Sequence, residues 1–593
     1  MNPFACYRLL ITPLSPVHIG TGESYEPTNY VIDDGVLHEF DTGAVMATLS
    51  DVDRKTLLEI GNRRPDKAMI EALQRYFYER RLPLMAVAQR RTPVVAGVER
   101  LYEKRMKGEA ENRHDLNKME IDRTAFVPGK GYPVLFGSSL KGAIRTALLN
   151  ACNGQASLNQ QEQRPFDDYS RAYQQVDRGE MRRAEKQMWR SAPLMQQRLF
   201  RFSPGQFQLD PFRLLSLSDA SWVGESEVPA TQARLAVNRK KAPVVDAQGA
   251  LRKSKADELY QLLECIPGWH YRAFTGQITV QSVAGLDHRH NDKLPAANLR
   301  FDLRRIAQAC NAFYRPILDE ERRQLRDRGY LDTHWDNTLQ TLLQGQAERF
   351  QRGDLFLLRV GRHSGAESVT LNGVRHIKIM KAQGQPDEYL DTPKTWWLAA
   401  EDKDQMQNLL PFGWLLVEVH PLEDAIPDWH PLKEACAPYL EGARRFVEKL
   451  QAKAKEIETA RLAAEAKRRE AEEARLRQEA EAQRQAALEA ARQARLAALS
   501  PQMRQVEEFK AQAEARKAQL GPGKEKPNTG IHTLAQQLAK SALEGADWSA
   551  DEKLALAEAL ETWLPQLVER LNRKDDWKDA RRKLKLAALK GEA

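Results

Sequence analysis

The stretch Tyr30-Val31-Ile32-Asp33-Asp34-Gly35-Val36-Leu37-His38 reads as two short strands joined by a tight turn. Asp-Gly tolerates the positive φ that a two-residue hairpin turn demands, and the flanking β-branched and apolar residues suit a pleated, half-buried surface. Upstream, Tyr7 to Thr12 is strand-like; downstream, Asp41 is placed to cap a helix. Further strands are expected at Phe274–Val280, Asp354–Val360, Ser368–Met380 and Trp414–Val419, with a helix over Leu299–Arg326. Strands and helices therefore mix without the regular alternation of a doubly wound parallel sheet. The expected class is α+β.

Composition then sets the limits. At 593 residues the chain exceeds what one hydrophobic core serves, so several domains are expected. Its 90 basic and 82 acidic residues leave a net charge of +8, a mild bias toward a polyanionic partner. Five scattered cysteines, Cys6, Cys152, Cys265, Cys310 and Cys436, form no CxxC pair, which argues against a zinc site and a disulfide framework. No cofactor or metal is expected. The first residues lack the apolar core of a signal peptide, and no uncharged run approaches membrane-spanning length, so the expected location is the cytoplasm.

From about Ala437 the character changes. Between Ala452 and Leu499 the chain is almost wholly Ala, Glu, Arg, Gln, Lys and Leu, with sparse leucines such as Leu462, Leu476, Leu488 and Leu496 that keep no 3.5-residue repeat. This predicts a long, mostly solvated charged helix. Gly521, Pro522, Gly523 and Pro527 form a linker, and Ser549 with Glu552 offers a capping box for a helix bearing Leu554, Leu556, Leu560, Trp563 and Leu567.

Four stretches carry candidate chemistry: Ser15-Pro16-Val17-His18-Ile19-Gly20-Thr21-Gly22; Gly137-Ser138-Ser139-Leu140-Lys141-Gly142-Ala143-Ile144-Arg145; Asp210-Pro211-Phe212 leading into Leu217-Ser218-Asp219; and Arg359-Val360-Gly361-Arg362-His363-Ser364-Gly365. In this order, with the hairpin and the later PFGWLLVEV, they resemble the RAMP superfamily of CRISPR proteins, closest to the fifth subunit of the type III-A (Csm) effector complex. The resemblance spans roughly residues 5–425. It departs from the family pattern at Phe136, where Pro is usual, and does not reach the tail.

The resemblance implies two tandem ferredoxin-like, RRM-like domains at 1–205 and 206–436; composition adds the charged helix (437–520), the linker (521–530) and a small helical domain (531–593). It implies a non-catalytic subunit that binds the 3′ part of the CRISPR guide RNA (crRNA), assists its maturation and serves antiviral defence. Its partners would be other Csm subunits, above all the repeated backbone RAMP subunit, and host nucleases that trim the guide. The residues also make sense as an RNA grip. Ser138 and Ser139 open a helix whose unpaired N–H groups suit a phosphate, and Lys141 and Arg145 lie four apart on one face. Gly20 and Gly22 admit a ligand close to the backbone. His18, Arg359, Arg362 and His363 add donors beside the glycine loops.

Two other readings stand beside it. A RAMP-type endoribonuclease would need an acid–base pair, which His18, His288, His290 or His363 could supply, although no spacing fixes a pair. Asp33, Asp34 and Asp41 are turn formers and a cap rather than metal ligands. A scaffold protein would instead dock partners through its helical tail, with His288-Arg289-His290 and Arg581-Arg582-Lys583 as surface contacts.

Overall fold

The structure, a computed structural model, describes residues 3–107, 119–246, 248–249, 252–283, 293–381 and 385–592. His288, Arg289 and His290 lie outside the described residues. The chain divides into two compact units, Met1–Arg461 and Leu462–Ala593.

The first unit is an α+β body built on a seven-stranded sheet. At its centre Phe4–Pro13 pairs antiparallel with Phe274–Gln281 on one side and Trp414–Pro421 on the other. Leu215–Leu217 and Ala220–Trp222 pair with Phe274–Gln281, and Leu355–Arg359 lies outside Trp414–Pro421. The helices Gly137–Asn153 and Leu303–Asp327 pack together and against this sheet, with Ile144, Leu148, Ile306 and Phe313 buried between the layers. Taken in chain order, Phe4–Pro13, the Gly137 helix, Ala220–Trp222, Phe274–Gln281, the Leu303 helix and Trp414–Pro421 form a β-α-β-β-α-β unit. Leu415 to Val419 are all buried, as expected of a strand covered on both faces.

A five-stranded sheet runs in the order Thr395–Ala400, Gln232–Lys240, Tyr260–Cys265, Ile121–Thr124, Gly20–Tyr25. Both sheets thus take strands from either side of residues 205 and 206, and one contiguous core joins them. The sequential cut into two domains at that point does not separate them, because strand partners come from opposite ends of the body: Phe4 faces Gln281 and Tyr7 faces Pro421.

The hairpin forms as expected, Tyr30–Asp33 against Val36–Glu39, with Asp34 and Gly35 both at positive φ and Arg90–Pro93 as a third strand. Asp41 caps its helix through the N–H groups of Gly43 and Ala44. The expected strand Ser368–Met380 is mostly absent: only Ile377–Ile379 pairs, because a 3-10 turn occupies Ala366–Ser368 and Gly373 turns at φ +81°. The helix expected from Leu299 starts at Leu303, after Asp302 accepts a hydrogen bond from the Arg305 N–H.

The long helix runs His430–Ala497 and so begins before Ala437. Its first turns bury Leu432, Cys436 and Leu440 on the body, and Tyr439 stacks on Trp269 at 5.6 Å. Lys449 and Lys453 pair with Asp34 and Asp33. Composition shifts where apolar positions thin out, not where the helix starts. In the second unit its side chains are almost all exposed up to Ala497. The helix does not continue to 520: Ser500 caps a new one, with Pro501 at its first position. That helix, Pro501–Leu520, buries Val506, Phe509 and Ala513 in the core of the terminal helices, so the helical domain starts at 501 rather than 531. The Ser549–Glu552 capping box is present. Among the described residues no helix is long and apolar enough to cross a membrane.

Candidate nucleic-acid interface

The glycine stretches near both ends of the body meet. The Arg362 N–H donates to the His18 carbonyl at 2.8 Å, the Val360 N–H to the Gly413 carbonyl, and the Gly413 N–H to the Pro16 carbonyl. The contact requires glycine. Gly361 sits at φ +82°, and a Cβ there would lie 2.3 Å from the His18 carbonyl oxygen; Gly413, at φ +88°, would bring a Cβ equally close to the Val360 carbonyl. Gly22 also has positive φ, +83°, but faces open space, and Gly20 opens an exposed strand end. Gly20 and Gly22 are exposed beside the junction, Gly361 is half-buried and Gly413 is buried within it.

Four charged or aromatic candidates surround the junction, in different states. Arg362 is 40% exposed and pairs with Asp122, itself 38% exposed. His18 is fully buried; its Nδ1 lies 2.7 Å from the Glu264 carbonyl, which as an acceptor requires the proton on Nδ1. Its Nε2 has no partner among the described residues. Burial lowers its pKa, offset only in part by the Glu264 hydrogen bond. His363, held at φ +63°, stacks on Trp397 at 4.8 Å and meets Gln261 Oε1 at 2.9 Å. Burial, with the charge of Arg362 beside it, pushes its pKa down to about 3.

Arg359 is not a phosphate ligand. It is 4% exposed, donates to Glu321 and the Phe412 carbonyl, and lies over the Trp414 ring. The strand Leu355–Arg359 is buried at every position, so its arginine points into the core and takes a buried carboxylate as partner.

The second pair of stretches forms a separate arrangement at the start of the Gly137 helix. Gly137 is packed so tightly that a Cβ would lie 2.7 Å from the carbonyl oxygens of Leu217 and Ser218, and its N–H donates to Asp219 at 2.7 Å. The helix start is thus met by a carboxylate of the chain itself. Ser138 is exposed and Ser139 half-buried. Lys141 and Arg145 do share a face, but it is turned inward. Lys141 Nζ donates to the Leu215 carbonyl at 2.7 Å, and its partial burial lowers its pKa. Arg145 pairs with Asp210 at 3.1 Å and lies over the Phe200 and Phe212 rings. Both side chains latch the Asp210-Pro211-Phe212 segment to the helix.

Sequence reasoning missed Asp122, Gln261, Trp397 and Glu264. The Glu264 carboxylate, wholly buried, gathers the Tyr25 and Thr231 hydroxyls, the Arg90 guanidinium and the Thr124 N–H beneath the junction. An acid inside the apolar run Leu262-Leu263-Glu264-Cys265-Ile266 was the available signal.

Residues 10–277 match the model of the RAMP superfamily. This part of the chain is a RAMP superfamily region. It contains three of the four stretches, while Arg359–Gly365 lies beyond the match and joins it through the glycine junction. Among solved structures, the chain is similar to one in a cryo-EM structure of a Csm–crRNA–target RNA ternary complex of a type III-A CRISPR-Cas system, at 17% identity and a TM-score of 0.39, over 70% of this chain and 100% of that one. It is also similar to the crystal structure of T. onnurineus Csm5, at 17% identity and a TM-score of 0.38, over 68% and 99%. No curated protein matches the chain.

Proposed function

We propose that this chain is a non-catalytic RNA-binding subunit of a type III-A CRISPR ribonucleoprotein that holds the 3′ part of the guide and helps define its mature end. The RAMP region carries the reading, together with the glycine junction, where exposed backbone and Arg362 lie side by side. The seven-stranded sheet then serves as an RRM-like half and the five-stranded sheet as its counterpart, interleaved rather than tandem. Other subunits of the complex are the protein partners of this reading.

Arg362 supplies the phosphate contact by exchanging its half-exposed carboxylate partner for RNA. A non-catalytic role is supported by the histidines at the junction. His18 is buried, and each ring has a nitrogen already engaged inside the protein, His18 Nδ1 with the Glu264 carbonyl and His363 Nε2 with Gln261.

The test is affinity for single-stranded guide-form RNA across a salt series, with cleavage followed in parallel. Arg362→Ala should weaken binding and reduce the salt slope by about 0.7, the value for one phosphate of a single strand. Arg145→Ala should leave the slope unchanged and lower stability instead, because it strands Asp210. RNA cleavage abolished by His363→Ala would favour the ribonuclease reading.

A further inference from the structure

The helix Arg178–Phe200, in the insertion after the Gly137 helix, carries a feature that the glycine junction does not use. Trp189 is 75% exposed, an unusual state for the largest apolar side chain. At 100° per residue, Arg182, Lys186 and Arg190 fall on the same face as Trp189, with successive cations about 6 Å apart along the axis. All three are exposed, and none has an ion-pair or hydrogen-bond partner among the described residues. The acids of this helix are already engaged: Glu180 with Arg183, and Glu185 with Lys378 and Tyr389.

Beside Trp189 opens a cleft of about 420 Å³, lined by Phe166, Met188, Leu371, His376 and Tyr389 among others. Phe166 and His376 are stacked at 3.8 Å, and the Tyr389 hydroxyl is held by Glu185. The cleft thus sets Phe166, His376 and Tyr389 beside Trp189 among aliphatic neighbours.

We propose that this helix face and cleft form a second contact for single-stranded RNA, with an unpaired base stacked on Trp189 and the adjoining phosphates on Arg182, Lys186 and Arg190. An aromatic ring flanked by unneutralised cations suits a strand that offers a π-face and a negative charge at every nucleotide. A protein partner would have to bring a matching row of acids. The proposal rests on the reading of the chain as an RNA binder and gives it a second site.

The test uses the full chain, a fluorescently labelled single-stranded oligoribonucleotide and a salt series. Trp189→Ala should weaken binding by about tenfold with the salt slope unchanged, and Trp189→Phe, which keeps a stacking ring, should bind like wild type. The triple variant Arg182→Gln, Lys186→Gln, Arg190→Gln should reduce the slope by about 2, or about 0.7 for each phosphate. All four side chains are exposed, so an unchanged circular-dichroism melt is expected. Wild-type affinity and slope in both variants would overturn the proposal while leaving the junction reading intact if Arg362→Ala still weakens binding. Unchanged RNA affinity with loss of a co-purifying protein would overturn it in favour of a protein dock. Failure of the wild-type chain to bind RNA would overturn both.

Discussion

Replacing Gly361 by alanine tests whether the glycine junction is a built contact. Two costs add. The residue sits at φ +82°, in the left-handed region, where a side chain costs about 1–2 kcal/mol. The new Cβ would also stand 2.3 Å from the His18 carbonyl oxygen, a backbone atom that can move away only by breaking the Arg362-to-His18 hydrogen bond; such overpacking costs about 1–3 kcal/mol. Gly361→Ala should therefore destabilise the body by about 2–5 kcal/mol. Gly22→Ala is the control, because its φ of +83° is nearly the same while nothing lies within 4 Å of its Cβ, so only the first cost applies. Urea unfolding of both variants followed by circular dichroism reads the difference, and RNA affinity at a urea-free baseline reports the junction. Equal midpoints for Gly361→Ala and Gly22→Ala would refute the close approach and with it the joining of residues 16–22 to 359–365.

Stability should also fall on mild acidification. Burial, reinforced at His38 by the Arg91 charge, lowers both His38 and His270 to about 4. Both are neutral in the folded state, whereas in the unfolded chain they take up a proton near pH 6.5, so their contribution is complete above pH 6.5 and is lost as pH drops toward 4. At pH 5 the loss is about 2 kcal/mol for each, read as a fall in urea midpoint between pH 7 and 5 that His270→Gln should make shallower. Truncation gives a further outcome. A chain ending at Arg461 should keep the body folded, whereas one ending at Cys436 removes buried Leu440 and uncovers Trp269, losing about 1.5–3 kcal/mol for the leucine alone and unfolding at lower urea.

What the sequence disclosed was local. The turn at Asp34-Gly35, the Asp41 cap and the Ser549–Glu552 box depend on residues within a few positions of one another, and all three are present. The interleaving of the two sheets was not legible, since its hydrogen-bonded neighbours stand hundreds of residues apart and no local period records them. Arg359 shows the same limit at the level of one side chain. Beside Gly361 it reads as a phosphate donor, and only the fold brings Glu321 and Trp414 to it. Lys141 and Arg145 were placed correctly on one helix face, but helical spacing does not say what that face meets; here it meets Asp210, Phe212 and Leu215. The quoted stretches come together in pairs: 16–22 with 359–365, and 137–145 with 210–219.

The most direct measurement is to isolate the chain from its native host under mild salt, with whatever accompanies it, and to sequence the bound RNA. The account predicts short RNAs of repeat–spacer form, recovered with wild type and depleted with Arg362→Ala. RNA of unrelated sequence in proportion to its abundance, or no RNA at all, would contradict it.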